Sequence, residues 1–124
     1  MLGHLSLGVN DLSKSAAFYD AILAPLGYVR VWSTGSVAIG YGEAGKGDKL
    51  ALFARPNQAI APGPGFHLAF NAPNRSAVDA FHAAAIANGG TDNGAPGLRP
   101  HYGPNYYAAF VIDPDGYKLE AVHQ

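Results

Sequence analysis

The chain has no cysteine, one methionine and one tryptophan among its 124 residues. The absence of cysteine excludes a disulfide framework, a thiolate zinc site and a thiol nucleophile. Only 14% of the residues are charged and the net charge is −1, so the sequence offers no basic stripe for nucleic acid. No apolar run approaches the roughly 20 residues of a membrane span, and the N-terminus lacks a signal-peptide pattern. These absences predict a cytoplasmic protein that binds neither nucleic acid nor membrane.

The composition that remains is that of a folded domain. Hydrophobic residues make up 48% of the chain, while 16 glycines and 9 prolines indicate many short elements joined by tight turns. A chain of this length predicts a single domain over residues 1–124.

The sequence contains one unit twice. His67 lies 63 residues after His4, and the same shift aligns Leu5 with Leu68, Phe18 with Phe81 and Gly27 with Gly90. Each copy predicts a short strand that opens with histidine, then a helix and a glycine turn. We therefore expect module one over 1–55, a proline-containing linker over 56–65, and module two over 66–124.

Periodicity predicts the individual elements. Strands are expected at 3–9, 28–32, 36–41, 49–54, 66–71, 106–112 and 117–122, helices at 12–23 and 76–88, and a loop at 91–105. Each half is interpreted as βαβββ. The fold class is α+β, with both modules forming a curved, open, eight-stranded mixed sheet around a cleft and the helices outside. A pseudo-two-fold axis would bring the two histidines toward each other.

Glu120 is an unusual residue for its position, because it stands between Leu119 and Ala121 in a predicted strand. A carboxylate there requires a partner, since an unpaired buried charge is costly. Lys118 or Arg99 could pair with it. The alternative is a divalent cation held jointly with His4 and His67, because two imidazoles and one carboxylate suit Fe, Mn, Zn or Ni. Without a metal, the three side chains would form a hydrogen-bonded polar cluster.

A wall for a small or aromatic ligand is predicted beside these three residues. Its expected members are apolar or aromatic side chains of the predicted strands: Ala51, Phe53 or Leu52, Trp32 and Tyr107. His101 and Tyr102 belong to a dense polar and aromatic segment over 99–107 and are expected at the rim. The other interpretation of this segment is an ordinary loop with aromatic anchors.

Three segments resemble the vicinal oxygen chelate superfamily, which includes glyoxalase I, bleomycin-resistance proteins, fosfomycin-resistance thiol transferases, methylmalonyl-CoA epimerase and extradiol dioxygenases. The opening Gly3–Leu12 with Ala17-Phe18-Tyr19 is similar to its first strand and helix. Gly65–Phe70 resembles its central strand, and Asp113–Glu120 resembles its closing hairpin.

The resemblance implies paired βαβββ modules around a metal cleft, with His4, His67 and Glu120 at three ligand positions. Glu120 would be a catalytic residue as well as a metal ligand. The fourth position falls on Ala51 or Leu52, which cannot bind a metal, so the pattern is similar to the three-ligand members.

The resemblance implies an enzyme of the lyase, dioxygenase or thiol-transferase type. In it, a metal would act as a Lewis acid on vicinal oxygens of a small substrate. A metal-free binding protein of the bleomycin-resistance type is the alternative. A homodimer is among the assemblies that the resemblance allows.

Overall fold

The computed structural model describes all residues, 1–124, and has two βαβββ modules. The α+β class and the repeated module are therefore confirmed. A short 3-10 helix over Ala24–Leu26 follows the first helix. The elements are β1 (Leu5–Val9), α1 (Leu12–Leu23), β2 (Val29–Thr34), β3 (Ala38–Gly42), β4 (Leu50–Ala54), β5 (Leu68–Asn71), α2 (Arg75–Ala87), β6 (Thr91–Leu98), β7 (Tyr107–Ile112) and β8 (Lys118–His123).

The eight strands form two four-stranded sheets with the same topology. The strand order is β1-β4-β3-β2 in the first sheet and β5-β8-β7-β6 in the second. β1 pairs in parallel with β4, and β5 with β8, while the remaining pairs are antiparallel. Because β1 and β5 are both edge strands, the eight-stranded arrangement is divided at the junction between the modules rather than joined by a continuous ladder.

Each helix begins at a side-chain cap. Asp11 accepts a hydrogen bond from the Lys14 backbone N–H at 3.1 Å, and α1 begins at residue 12, where the sequence predicts it. The second helix begins one residue earlier than predicted, because the cap is Asn74, whose side chain accepts from the Ala77 N–H at 2.8 Å. The Ser76 hydroxyl donates to the same Asn74 oxygen at 2.7 Å and so supports the cap.

The segment predicted as a loop over 91–105 contains a strand, which corrects that expectation. β6 pairs antiparallel with β7, with two irregularities in register around Gly94. Gly94, Pro96 and Gly97 are poor strand formers, so the local sequence does not indicate a strand there. Pairing with β7 at the sheet edge overrides that local preference.

One face of each sheet is covered by its helix, and the two helices also contact each other, so the modules share one core. Leu7 and Val9 of β1 point into this core, because alternate residues of a strand face the same side. The opposite face of each sheet carries no helix. Neither helix has the length and apolarity needed to cross a membrane.

The modules are joined by polar contacts at the Asp113–Gly116 turn. The buried Asp113 carboxylate accepts a hydrogen bond from the Tyr19 hydroxyl at 2.7 Å and two more from backbone N–H groups of its own turn. The Tyr117 hydroxyl donates to the Gly8 carbonyl at 2.8 Å. These bonds place the start of β8 beside the end of β1 and so fix how the two modules are oriented.

We predict that Tyr19→Phe destabilises the protein most at neutral pH. Burial raises the pKa of Asp113, and the Tyr19 hydroxyl opposes that rise by stabilising the ionised carboxylate. Loss of the hydroxyl should lower the free energy of unfolding by about 1–3 kcal/mol at pH 7. Without the hydroxyl, the pKa of Asp113 should rise further, so the folded variant takes up the proton at a higher pH than the folded wild type does. The hydroxyl stabilises only the ionised carboxylate, so the difference between variant and wild type should shrink as pH falls.

Denaturant unfolding at several pH values measures this difference. Tyr107→Phe is the matched control, because the Tyr107 hydroxyl donates to an exposed Asp79 carboxylate and its loss should cost less. Equal losses for the two variants at pH 7 would contradict the prediction.

Candidate functional site

The uncovered face of the second sheet holds a buried carboxylate with two polar neighbours. Glu120 is only 2% exposed. Its Oε2 accepts a hydrogen bond from the Tyr106 hydroxyl at 2.5 Å, and its Oε1 lies 3.2 Å from Nε2 of His67. The strand register explains this cluster, because Ala69 of β5 stands opposite Glu120. His67 is two residues before Ala69, so its side chain lies on the same face of the sheet.

The cationic partners proposed from the sequence do not contact this carboxylate. Lys118 is exposed, and it makes no ion pair in the structure. The Arg99 guanidinium donates to the carbonyls of Gly97 and Ala95 at 2.9 and 2.7 Å and lies over the Phe110 ring, 5.4 Å from its centre. Glu120 is thus stabilised by a phenol and an imidazole rather than by a lysine or an arginine.

Tyr106 acts on Glu120 as a hydrogen-bond donor. Burial raises the pKa of Tyr106 to about 12, and the neighbouring carboxylate adds to the rise. The phenol therefore keeps its proton at neutral pH and continues to donate to Oε2. A bond of this kind, from a hydroxyl to a carboxylate, is among the stronger hydrogen bonds in proteins.

His4 does not join His67 and Glu120 within one chain. No three side chains of His, Asp or Glu lie together in an arrangement suited to a metal ion. The module orientation explains the separation, because the hydrogen bond from Tyr117 to Gly8 sets the start of β8 at the far end of β1 from His4. At about 3.3 Å per residue, His4 lies roughly 13 Å along the strand from Gly8.

Two cavities meet at His67. A groove of ≈ 520 Å³ runs between β1 and β5 and is lined by both His4 and His67, with mainly apolar neighbours. A second cavity of ≈ 400 Å³ lies over the second sheet and is lined by His67, Glu120 and Tyr106. The groove is larger, but only the second cavity contains the carboxylate, so we place the candidate chemistry there.

The comparisons with known proteins agree with this fold. The model of the Glyoxalase/Bleomycin resistance protein/Dioxygenase superfamily matches residues 1–121. The chain belongs to this superfamily. A glyoxalase/bleomycin resistance protein from Albidiferax ferrireducens is 37% identical, with a TM-score of 0.82 and coverage of 100% of this chain and 98% of that one. No curated protein matches the sequence.

A glyoxalase-related enzyme from Fulvimarina pelagi is more distant and supports the fold. It is 23% identical, with a TM-score of 0.74 and coverage of 100% of this chain and 88% of that one. The Glyoxalase superfamily fold is thus shared over the whole chain, while neither comparison assigns a substrate or a metal to it.

The apolar wall that the sequence predicts beside Glu120 lies on the first sheet, whereas Glu120 lies on the second. Trp32 and Phe53 stand on the uncovered face of the first sheet, with ring centres 6.4 Å apart. The Trp32 indole lies across Gly40, where any Cβ would overlap it. Ala51 stands opposite Gly40 on the same face, whereas Leu52 is fully buried in the core. Within one chain, these side chains therefore line a separate surface from Glu120.

The segment over 99–107 supplies part of the second cavity. Tyr102 lines the cavity, and the His101 ring packs against it with centres 4.2 Å apart and planes tilted by 41°. Tyr107 lies on the helix side instead, where its hydroxyl donates to Asp79 of α2 at 2.6 Å. Tyr106 takes the place expected of Tyr107. Alternation could have identified it, because Tyr106 precedes Ala108 and Phe110 on the face that bears Glu120.

We predict that Tyr106→Phe destabilises the protein by about 1–3 kcal/mol at pH 7, because Oε2 of a buried carboxylate loses its donor. Tyr102→Phe is the control. It removes the same atom from the same cavity, but the Tyr102 side chain is 62% exposed, so we expect a change within about 0.5 kcal/mol. Thermal and denaturant unfolding of both variants measure the difference. Equal stability of the two variants would show that the Tyr106–Glu120 bond contributes nothing.

Proposed function

We propose that the protein binds a small molecule over the second sheet, together with a divalent metal ion (Fe, Mn, Zn or Ni). His67 and Glu120 of one chain and His4 of a second copy would hold the metal. The ion would supply Lewis-acid polarisation of neighbouring oxygen atoms on the substrate, which is chemistry suited to a lyase, dioxygenase or thiol-transferase type of enzyme.

The observation that supports this function is the contact between His67 and Glu120. An imidazole nitrogen and a carboxylate oxygen lie 3.2 Å apart on an uncovered sheet face, beside an aromatic cavity. A neutral imidazole and a carboxylate are suitable ligands for a first-row divalent ion. The two donors of one chain are too few for such a site, so a third must come from elsewhere.

A second copy is the source that the fold offers for this donor. His4 is exposed, as is Ser6, the next residue along β1 on the same face. On the matching face of β5, His67 and Ala69 are exposed as well. Because the modules are built alike, a homodimer could lay the first sheet of each copy against the second sheet of the other. This packing would also bring Trp32 and Phe53 to the Glu120 cavity.

In such a site the residues of this chain have separate tasks. Glu120 contributes the anionic oxygen, and Tyr106 orients the carboxylate by donating to Oε2, which leaves Oε1 directed toward His67. The neighbouring aromatic rings exclude water and support a planar ligand. Ala51 stands at the position equivalent to Glu120 in the first module. Its small side chain cannot act as a fourth ligand and leaves space for the substrate.

Metal-free binding of a small molecule is the second candidate. Both Glu120 oxygens already have partners within the protein, so the carboxylate does not require a cation. The relative from Albidiferax ferrireducens bears a name that covers both activities, glyoxalase and bleomycin resistance protein. The two candidates differ in one measurable property, the affinity for a divalent ion.

We predict that Glu120→Gln weakens metal affinity at least tenfold, because an amide oxygen is a much poorer ligand than a carboxylate for these ions. Calorimetric titration with Zn, Mn and Ni of protein purified without a histidine tag measures the affinity. Glu43→Gln is the control, since Glu43 is exposed and pairs with Lys46 rather than with either histidine. Unchanged affinity in the Glu120 variant would exclude it as a ligand and favour metal-free binding.

Mixing two defective variants tests the shared site. We expect His4→Ala and Glu120→Gln each to lose metal binding, and their mixture to regain about a quarter of the sites. After random exchange, half of the dimers are heterodimers, and each heterodimer has one intact site and one doubly altered site. Subunits are exchanged under mild denaturation and then titrated with metal. A site built within one chain would regain nothing on mixing.

A further inference from the structure

We propose that the cavity over the second sheet recognises a small aromatic carboxylate, with Lys118 as the residue that binds its anionic group. The inference specifies the ligand class of the proposed function and rests on that function only for the location of the site. Three observations support it: the aromatic lining, the state of the single carboxylate, and the position of one free cation.

The lining of the cavity is aromatic. Phe66, Tyr102, Tyr106 and Phe110 all contribute to it. The Tyr102 and Tyr106 rings are 5.3 Å apart at an angle of 55°, an arrangement that leaves ring faces and edges available to a planar ligand. A volume of ≈ 400 Å³ lies in the range of small-molecule sites, so one or two fused rings would fit.

The cavity has little capacity to accept a positively charged ligand. Glu120 is its only acidic residue, and both of its oxygens are engaged by Tyr106 and His67. A ligand ammonium would have to displace one of these partners from a buried carboxylate. The lining therefore disfavours an organic ammonium group, although it contains a negative charge. A metal ion differs, because it would take His67 and Glu120 together as ligands.

Lys118 provides the complementary charge. It lies two residues before Glu120 in β8, hence on the same face, and it lines the cavity at an exposed position. Its ammonium group forms neither an ion pair nor a hydrogen bond with the protein. Asn93, another lining residue, is exposed nearby and offers an amide donor. An anion is the ligand group that these free donors suit.

One carboxylate is favoured over a polyanion, because only one ammonium or guanidinium group lines the cavity. The nearest alternative, Arg99, is held over Phe110 by its bonds to two backbone carbonyls and does not line it. A phosphate ester would lack a second cation to balance its charge. An aliphatic acid would leave the aromatic rings without a stacking partner.

The test is calorimetric titration in the presence of chelator, so that no metal can bind the ligand directly. The probes are benzoate, benzamide and cyclohexanecarboxylate, which separate the contribution of the charge from that of the ring. We expect benzoate to bind at least about tenfold more tightly than either analogue, and added salt to weaken benzoate binding selectively. Equal affinities for benzoate and benzamide, or no benzoate binding at millimolar concentration, would overturn the proposal.

Variants then assign the anion to its residue. Lys118→Gln should weaken benzoate binding about tenfold and leave benzamide binding unchanged, a loss expected when one charged hydrogen bond is removed. Lys14→Gln is the matched control on the exposed surface of α1, and it should change neither. Unchanged benzoate affinity in the Lys118 variant would exclude Lys118.

Metal titration of the same samples separates this inference from the proposed function. Normal metal affinity without benzoate binding would overturn the inference alone. Benzoate binding that depends on Lys118, in a protein without metal affinity, would support the inference and exclude the metal.

Discussion

The buried Asp113 carboxylate fixes the relation between the two halves of the molecule. It ties the closing turn of the second module to Tyr19 in the helix of the first, while Tyr117 ties the same turn to β1. Three donors form hydrogen bonds to the carboxylate, and burial still raises its pKa. This contact between the modules is therefore costly to form and specific in geometry. With the modules held in this way, His4 lies at the far end of β1 from the turn. The separation of His4 from Glu120 therefore depends on this contact.

The second buried carboxylate, Glu120, is stabilised differently, and the difference relates to function. Asp113 is enclosed by backbone N–H groups and a tyrosine within the core. Glu120 is equally buried but lies on the face without a helix, next to a half-exposed imidazole whose side chain is 53% accessible. A carboxylate whose neighbour is exposed to solvent can exchange that neighbour for a ligand, or can share it with an ion. Asp113 has no such access and serves structure alone.

Several features could be predicted from the sequence because they depend on local pattern. The 63-residue repeat gave the paired modules, and the position of Glu120 in an apolar strand indicated that its carboxylate needs a partner. Other features depend on tertiary context. The glycines and proline of β6 hide a strand that only pairing with β7 reveals. The separation of His4 from Glu120 follows from how the modules dock, which the symmetry of the repeat did not define.

The two sheets have diverged at equivalent positions, and this divergence bears on how a shared site would work. Phe110 stands opposite Glu120 in the second sheet, where Gly40 stands opposite Ala51 in the first. The first sheet thus presents a floor of small residues with Trp32 lying across it, while the second presents the carboxylate and its donors. Such surfaces are complementary rather than identical. In the proposed shared site, a second copy of the chain would bring the two kinds of face together.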